Sequence, residues 1–264
     1  MAYTVSQPRS DLLPRILTGL VAIPLVIFII FQDPLFFKII SLLAAAGLLR
    51  EWSKLSFGIP HHWTNFICFF TILLGFLPIP QINILLIYLF SFSLVSCLIA
   101  LKPQKLKIIY GGYLYITSAM VIVIHIMPNM GSHFILTVLT LVWCVDTGAF
   151  LAGKIIGGTK LAPAISPNKT WSGFAGGIII GLVGVYLLIK ALQLNVGIPF
   201  WVFAGASVLL AQGGDLLESW SKRYFNVKDS GSFLPGHGGM LDRMDSLLAV
   251  SFAIGILYLA MQAR

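Results

Sequence analysis

Five of the nine acidic residues of this chain fall between positions 215 and 245: Asp215, Glu218, Asp229, Asp242 and Asp245. Four cations, Lys222, Arg223, Lys228 and Arg243, are interleaved with them. Carboxylates converging beside cations suit a hard divalent ion such as Mg²⁺ that holds phosphates, because hard ions take oxygen ligands. Asp215, Glu218, Ser219 and Lys222 stand at i, i+3, i+4 and i+7, which puts all four on one helix face. A Glu218–Lys222 surface pair, worth about 0.3 kcal/mol, would explain two of them. It does not explain Asp215, which lies a turn deeper, after Gln212-Gly213-Gly214. Asp242 and Asp245 by themselves read as a helix cap. With Asp215 beside them, the balance shifts to a metal site.

The run Lys228–Gly239 carries Gly231, Gly236, Gly238 and Gly239, which let backbone N–H groups approach an anion. His237 within it either donates to a phosphate or packs the loop. No second His or Cys lies nearby, so transition-metal ligation is not expected. Asp146 sits in the apolar run Leu141–Phe150, a depth at which a charge is costly and must face a cavity or a partner. The plainer alternative is a buried pair that fixes helix packing. Gly148–Lys154 has the spacing of a phosphate-binding P-loop, but Ile155 follows where Ser or Thr is needed, and the preceding segment reads as a helix, not a strand.

These groups must be positioned by a membrane protein. The chain has 264 residues, 58% hydrophobic and 10% charged, with a net charge of +8 and a mean hydropathy of +0.94. So few charges could not cover the surface of a soluble domain. A cytosolic globular enzyme, a disordered tail and a secreted disulfide scaffold are excluded. The cations are scattered between apolar runs, so no nucleic-acid partner is expected; an anionic membrane face or anionic substrates fit better. Cys68, Cys97 and Cys144 lie in apolar stretches without CxxC spacing and read as core thiols.

A span needs about 20 apolar residues. Candidates run near Ile16–Phe31, Leu35–Leu49, Trp63–Ile79, Ile82–Leu101, Ile108–Met127, His133–Gly153, Gly173–Leu192, Pro199–Trp220 and Asp245–Met261. The expected fold is all-α, a polytopic membrane bundle of about nine helices. With the N-terminus inside and the C-terminus outside, only Lys38, Lys190 and Arg264 of the 17 Lys and Arg residues fall on the outer side. The first span lacks the flanks of a cleaved signal. No repeat or long linker divides the chain. It reads as one membrane-embedded catalytic domain, with N-terminal helices over 1–132 and the site carried by 133–264. Two polar inside loops, Lys154–Ser172 and Ser221–Met244, are where function is sought.

The pattern Ser219-Trp-Ser-Lys-Arg223, Lys228-Asp229, Gly231, Leu234-Pro235, His237-Gly-Gly239 and Asp242-Arg-Met-Asp245 resembles the signature of the phosphatidate cytidylyltransferases. Gly214-Asp215-Leu-Leu-Glu218 also fits. So does the stretch from Asp146 through Gly153-Lys154, Gly157 and Leu161-Ala-Pro163 to Ser166-Pro-Asn-Lys-Thr170. The resemblance covers about the C-terminal half of the chain. Ser221, Phe150 and Ser172 depart from family usage, and none of them removes a charge from the site.

The resemblance implies that CTP and phosphatidate react to CDP-diacylglycerol and pyrophosphate. It implies Asp215 and Asp242 as Mg²⁺ ligands, Asp245 as a third or outer carboxylate, and a second cation such as K⁺. Lys222, Arg223, Lys228 and Arg243 would hold phosphates. Lys169 and Ser166, Ser219, the His237-Gly238-Gly239 turn and Asp146 would complete the substrate cavity. Partners are the two substrates and the lipid bilayer, with a homodimer as an allowed assembly. The expected location is a bacterial inner (plasma) membrane, with the site facing the cytoplasm. A secondary transporter should show inverted repeats and a midplane site, and neither is seen. A CTP-dependent polyisoprenol or phytol kinase should lack the His237-Gly-Gly and Asp-Arg-Met-Asp combination. A purely structural membrane protein gives no reason for an acidic–basic cluster in lipid.

Overall fold

Long apolar runs become long helices, since in lipid every backbone polar group must be satisfied within the segment. The computed structural model of the chain describes residues 23–58, 62–74, 103–227, 231 and 239–262. Within these, seven α-helices follow a short helical stretch at 23–30. They are α1 (Pro34–Phe57), α2 (His62–Leu74), α3 (Gln104–Val121), α4 (Ser132–Ile155), α5 (Trp171–Ala191), α6 (Ile198–Tyr224) and α7 (Leu241–Gln262). A π turn at Ile122–Ile126 and a 3-10 turn at Met127–Met130 prolong α3. Counted with that extension to Met130, α3, together with α4, α5, α6 and α7, gives five helices long and apolar enough to cross a membrane.

Several helix bounds differ from expectation in ways that matter for the site. α1 does not stop at Leu49 but runs to Phe57, because Trp52 and Leu55 are buried and carry the helix past Arg50 and Glu51. It starts on Asp33, whose side chain accepts from Leu35 N at 2.8 Å with Pro34 as first residue, and ends on Gly58 at φ 78°. α6 continues a turn beyond Trp220, so Lys222 and Arg223 are helical. α7 begins at Leu241, four residues ahead of the expected Asp245, so Asp242 as well as Asp245 lies within its first two turns. The candidate span Ile82–Leu101, much of Ile16–Phe31 and the end of Trp63–Ile79 lie outside the described residues.

The all-α expectation needs one correction. The polar loop after α4 folds into an antiparallel hairpin, β1 (Lys160–Ala162) and β2 (Ser166–Thr170), pairing Lys160 with Thr170 and Ala162 with Ser166. Pro167 is tolerated because a two-stranded hairpin consists of edge strands. Thr170 then caps α5, its Oγ1 accepting from Gly173 N at 3.1 Å.

α4 and α5 pack antiparallel along a seam of small residues. A β-carbon on Gly148 would stand 2.6 Å from Ile180 Cβ and 2.8 Å from the Gly176 carbonyl. Such approach is how membrane helices associate without a hydrophobic driving force. Met120, Ile124, Leu141, Val145, Val208, Leu248 and Ile254 form the buried core between α3, α4, α6 and α7. Ile179, Val183 and Leu187 of α5 and Val202 and Leu209 of α6 are exposed, as lipid-facing residues should be. Cys68 and Cys144 are half-buried thiols rather than core residues, Cys68 packing against the edge of the core; Cys97 lies outside the described residues.

Candidate active site

Six elements line a cavity of about 550 Å³, and four of them bring charged side chains to it. α4 brings Asp146, β2 brings Lys169, α6 brings Asp215, and α7 brings Asp242, Arg243 and Asp245. α6 and α7 come this close because of Gly214. A β-carbon there would lie 2.5 Å from the Asp245 carbonyl oxygen and 2.7 Å from Ala249 Cβ. The glycine therefore places Asp215 beside the Asp245 turn. Asp215 is near enough for its charge to act on both Asp146 and Asp245. Ser246, buried between the helices, holds α4 to α7: its hydroxyl donates to Asp146 Oδ1 at 3.3 Å and lies 3.2 Å from the Ala211 carbonyl.

The cations are already engaged. Lys169 Nζ lies 2.7 Å from Asp215 Oδ2. Lys222 Nζ lies 2.7 Å from both Glu218 Oε2 and Asp242 Oδ1, joining α6 to the start of α7. Asp242 Oδ2 accepts from Gly239 N at 2.9 Å. The Glu218–Lys222 pair is thus no surface pair, as Glu218 is 7% exposed. Its Oε1 is buried without a hydrogen-bond partner.

Asp146, Lys169, Asp215, Asp242, Arg243 and Asp245 all line this one cavity. Lys222 adjoins them through Asp242. Ser219 of α6 and Ser166 of β2 stand outside the cavity lining. Arg223 is exposed and donates from Nε to the Ile165 carbonyl at 3.2 Å, tying α6 to the hairpin turn. Gly239 reaches the site through its amide on Asp242. Lys228, His237 and Gly238 lie outside the described residues.

Among the described residues, no three His, Cys, Asp or Glu side chains gather as a ready metal-holding group. The side chains of Asp215 and Asp242 turn to Lys169 and Lys222 instead. The donor set itself is all carboxylate oxygen, which is the chemistry of a hard ion.

Two further residues, one in the cavity and one beside α7, have no role assigned from the sequence. Lys154 lines the cavity, and its signal was present: 146, 149, 150, 153 and 154 repeat at helical spacing on one face of α4. Nothing in the sequence singles out Glu51. It is buried on α1, and its oxygens accept from Met240 N and Leu241 N, both at 2.8 Å. No local pattern links residues so far apart.

A second cavity of about 230 Å³, largely apolar, lies alongside. Trp52, Gly112, Leu217 and Leu248 line it, and Asp245 borders both cavities. The Tyr115 hydroxyl is buried there without a hydrogen-bond partner. An anionic headgroup and an apolar tail could therefore be accommodated side by side.

Residues 13–262 match the family model described as the Cytidylyltransferase family. The chain is similar to the phosphatidate cytidylyltransferase of Staphylococcus aureus (strain COL), 46% identical over 130 residues, covering 48% of this chain and 49% of the relative. That alignment spans about half the length of the staphylococcal protein. Those of Rickettsia typhi and Rickettsia bellii, carrying the same name, are 31% and 34% identical over 264 residues. Both cover 96% of this chain, with 95% and 94% of the relatives.

Proposed function

We propose that this chain, which belongs to the cytidylyltransferase family, transfers the cytidylyl group of CTP to phosphatidate, releasing pyrophosphate and forming CDP-diacylglycerol. The observation that carries this most is the polar cavity in which carboxylates and cations from four elements meet beside an apolar one. The names of relatives that align over nearly the whole chain point the same way.

A phosphatidate oxygen attacks the α-phosphorus of CTP, and the bond to the β-phosphate oxygen breaks. The nucleophile is already an anion, so no Ser or Cys is required. The difficulty is bringing two polyanions together, and the remedy is positioning and neutralisation. Lys169, Arg243 and Lys154 face the cavity where phosphates would lie. Lys169 and Lys222 exchange a carboxylate partner for a phosphate, so their charge is available without unfolding anything. The diacylglycerol moiety rests along Trp52, Leu217 and Leu248.

Asp215, Asp242 and Asp245, with Asp146 near them, would hold Mg²⁺, with a second cation such as K⁺ beside it. When bound, the divalent ion supplies charge neutralisation on the transferring phosphate. The fold reading completes this: one catalytic domain of about nine spans in the inner (plasma) membrane of a bacterium, N-terminus inside and C-terminus outside, with the cavity facing the cytoplasm. A homodimer is compatible with it. Incubation of the purified chain with phosphatidate micelles and α-labelled CTP tests the proposal. Label should move into lipid, cease with EDTA and return with Mg²⁺. Unlabelled lipid under all conditions would overturn it.

A further inference from the structure

The entrance to α7 is held by a residue from the other end of the chain. Glu51 sits on α1, and its two carboxylate oxygens are divided between two consecutive amides, Met240 N and Leu241 N, each at 2.8 Å. A helix leaves its first amides without intrahelical partners, and its dipole favours a negative charge there. Bonds from such amides to an ionised acid are charge-assisted and strong. Glu51 is 6% exposed, and a buried carboxylate persists only when so satisfied. Gly231 also lies against it: a β-carbon there would come within 2.7 Å of Glu51 Oε1. α1 itself is anchored to α3, since the indole N–H of the adjacent Trp52 donates to the Ile109 carbonyl at 2.9 Å.

The first two turns of α7 carry Asp242, Arg243 and Asp245. Asp242 already takes Gly239 N on one oxygen and Lys222 on the other. If it also had to satisfy the next two amides, it could not face the cavity. Glu51 removes that demand.

We propose that Glu51 is a positioning residue of the transfer site. It does not line the polar cavity. Acting through the backbone of Met240 and Leu241, it sets the directions in which Asp242, Arg243 and Asp245 leave α7. The kinetic part of this rests on the cytidylyl-transfer function proposed above; the structural part does not.

Glu51→Gln, made in the full chain and purified in detergent, keeps shape but presents an NH₂ donor to one of the two amides. Hydrogen–deuterium exchange at Met240 and Leu241 should speed up. kcat should fall about 10- to 100-fold, as when supporting partners of a site are lost. KM for both substrates should stay near the wild-type value. Glu51→Asp, which keeps the charge on a shorter arm, should recover part of kcat. Unchanged exchange at both amides overturns the proposal. So does faster exchange with wild-type kcat per folded molecule, which would leave Glu51 a purely structural cap. If wild-type protein transfers no cytidylyl group, the functional reading fails, and the exchange data alone decide whether Glu51 holds α7.

Discussion

The Lys222 ammonium lies 2.7 Å from Asp242 Oδ1, so a residue near the end of α6 holds the carboxylate that opens α7. The same ammonium lies 2.7 Å from Glu218 Oε2, and all three side chains are at most one-fifth exposed. This bridge couples the two helices whose acids line the cavity.

Removing Lys222 should therefore be costly twice over. Lys222→Met leaves the buried Glu218 facing the half-buried Asp242 with no cation between them. The loss of about 3–5 kcal/mol when one partner of a fully buried pair is removed is an upper bound on the cost. The melting temperature in detergent should drop. Adding Glu218→Gln should restore much of the stability by removing one of the charges, while transfer activity stays low. A double variant as unstable as the single one would show that repulsion is not the cause.

Asp215→Asn should abolish CTP-dependent labelling of lipid, by about 10²-fold or more, the scale on which single electrostatic groups act in catalysis. The amide keeps the volume, and Asp215 is open to the cavity, so insertion and melting temperature should hold. Near-normal turnover by the purified variant would remove Asp215 from the site.

The α4–α5 seam makes a prediction free of chemistry. Gly148→Ala places a methyl against Ile180 Cβ and the Gly176 carbonyl, and backbone cannot yield as a side chain can. Overpacking of this kind costs about 1–3 kcal/mol. Gly205→Ala on α6, where a β-carbon meets nothing within 4 Å, should be neutral or stabilising. Thermal denaturation of the pair in the same detergent decides.

Orientation can be tested at the ends of α5. In a chain whose native cysteines are replaced by serine, Gly158→Cys in the hairpin connection should be labelled by an impermeant thiol reagent only after the membrane is opened. Asn195→Cys, beyond the far end of α5, should be labelled in intact cells. The reverse pattern would invert the topology.

Much of the site was legible because it obeys local rules. Asp215, Glu218 and Lys222 share a face through the 3.6-residue period alone, and charge scarcity makes each acid in an apolar run conspicuous. The signature from Ser219 to Asp245 pointed to the family before any contact was visible. The hairpin after α4 was not legible, because five- and three-residue strands between Pro and Gly carry too little pattern.

The chain alone determined that this is a helical membrane protein with its acidic and basic residues crowded onto α6 and the start of α7, since hydropathy and spacing act within one segment. Only the tertiary structure decided the partners. Lys169 meets Asp215, Ser246 meets Asp146, and Glu51 reaches Met240 and Leu241 across 189 and 190 positions. Such contacts depend on how closely helices approach, which Gly148 and Gly214 permit by lacking a side chain, and no periodicity encodes which surfaces then touch.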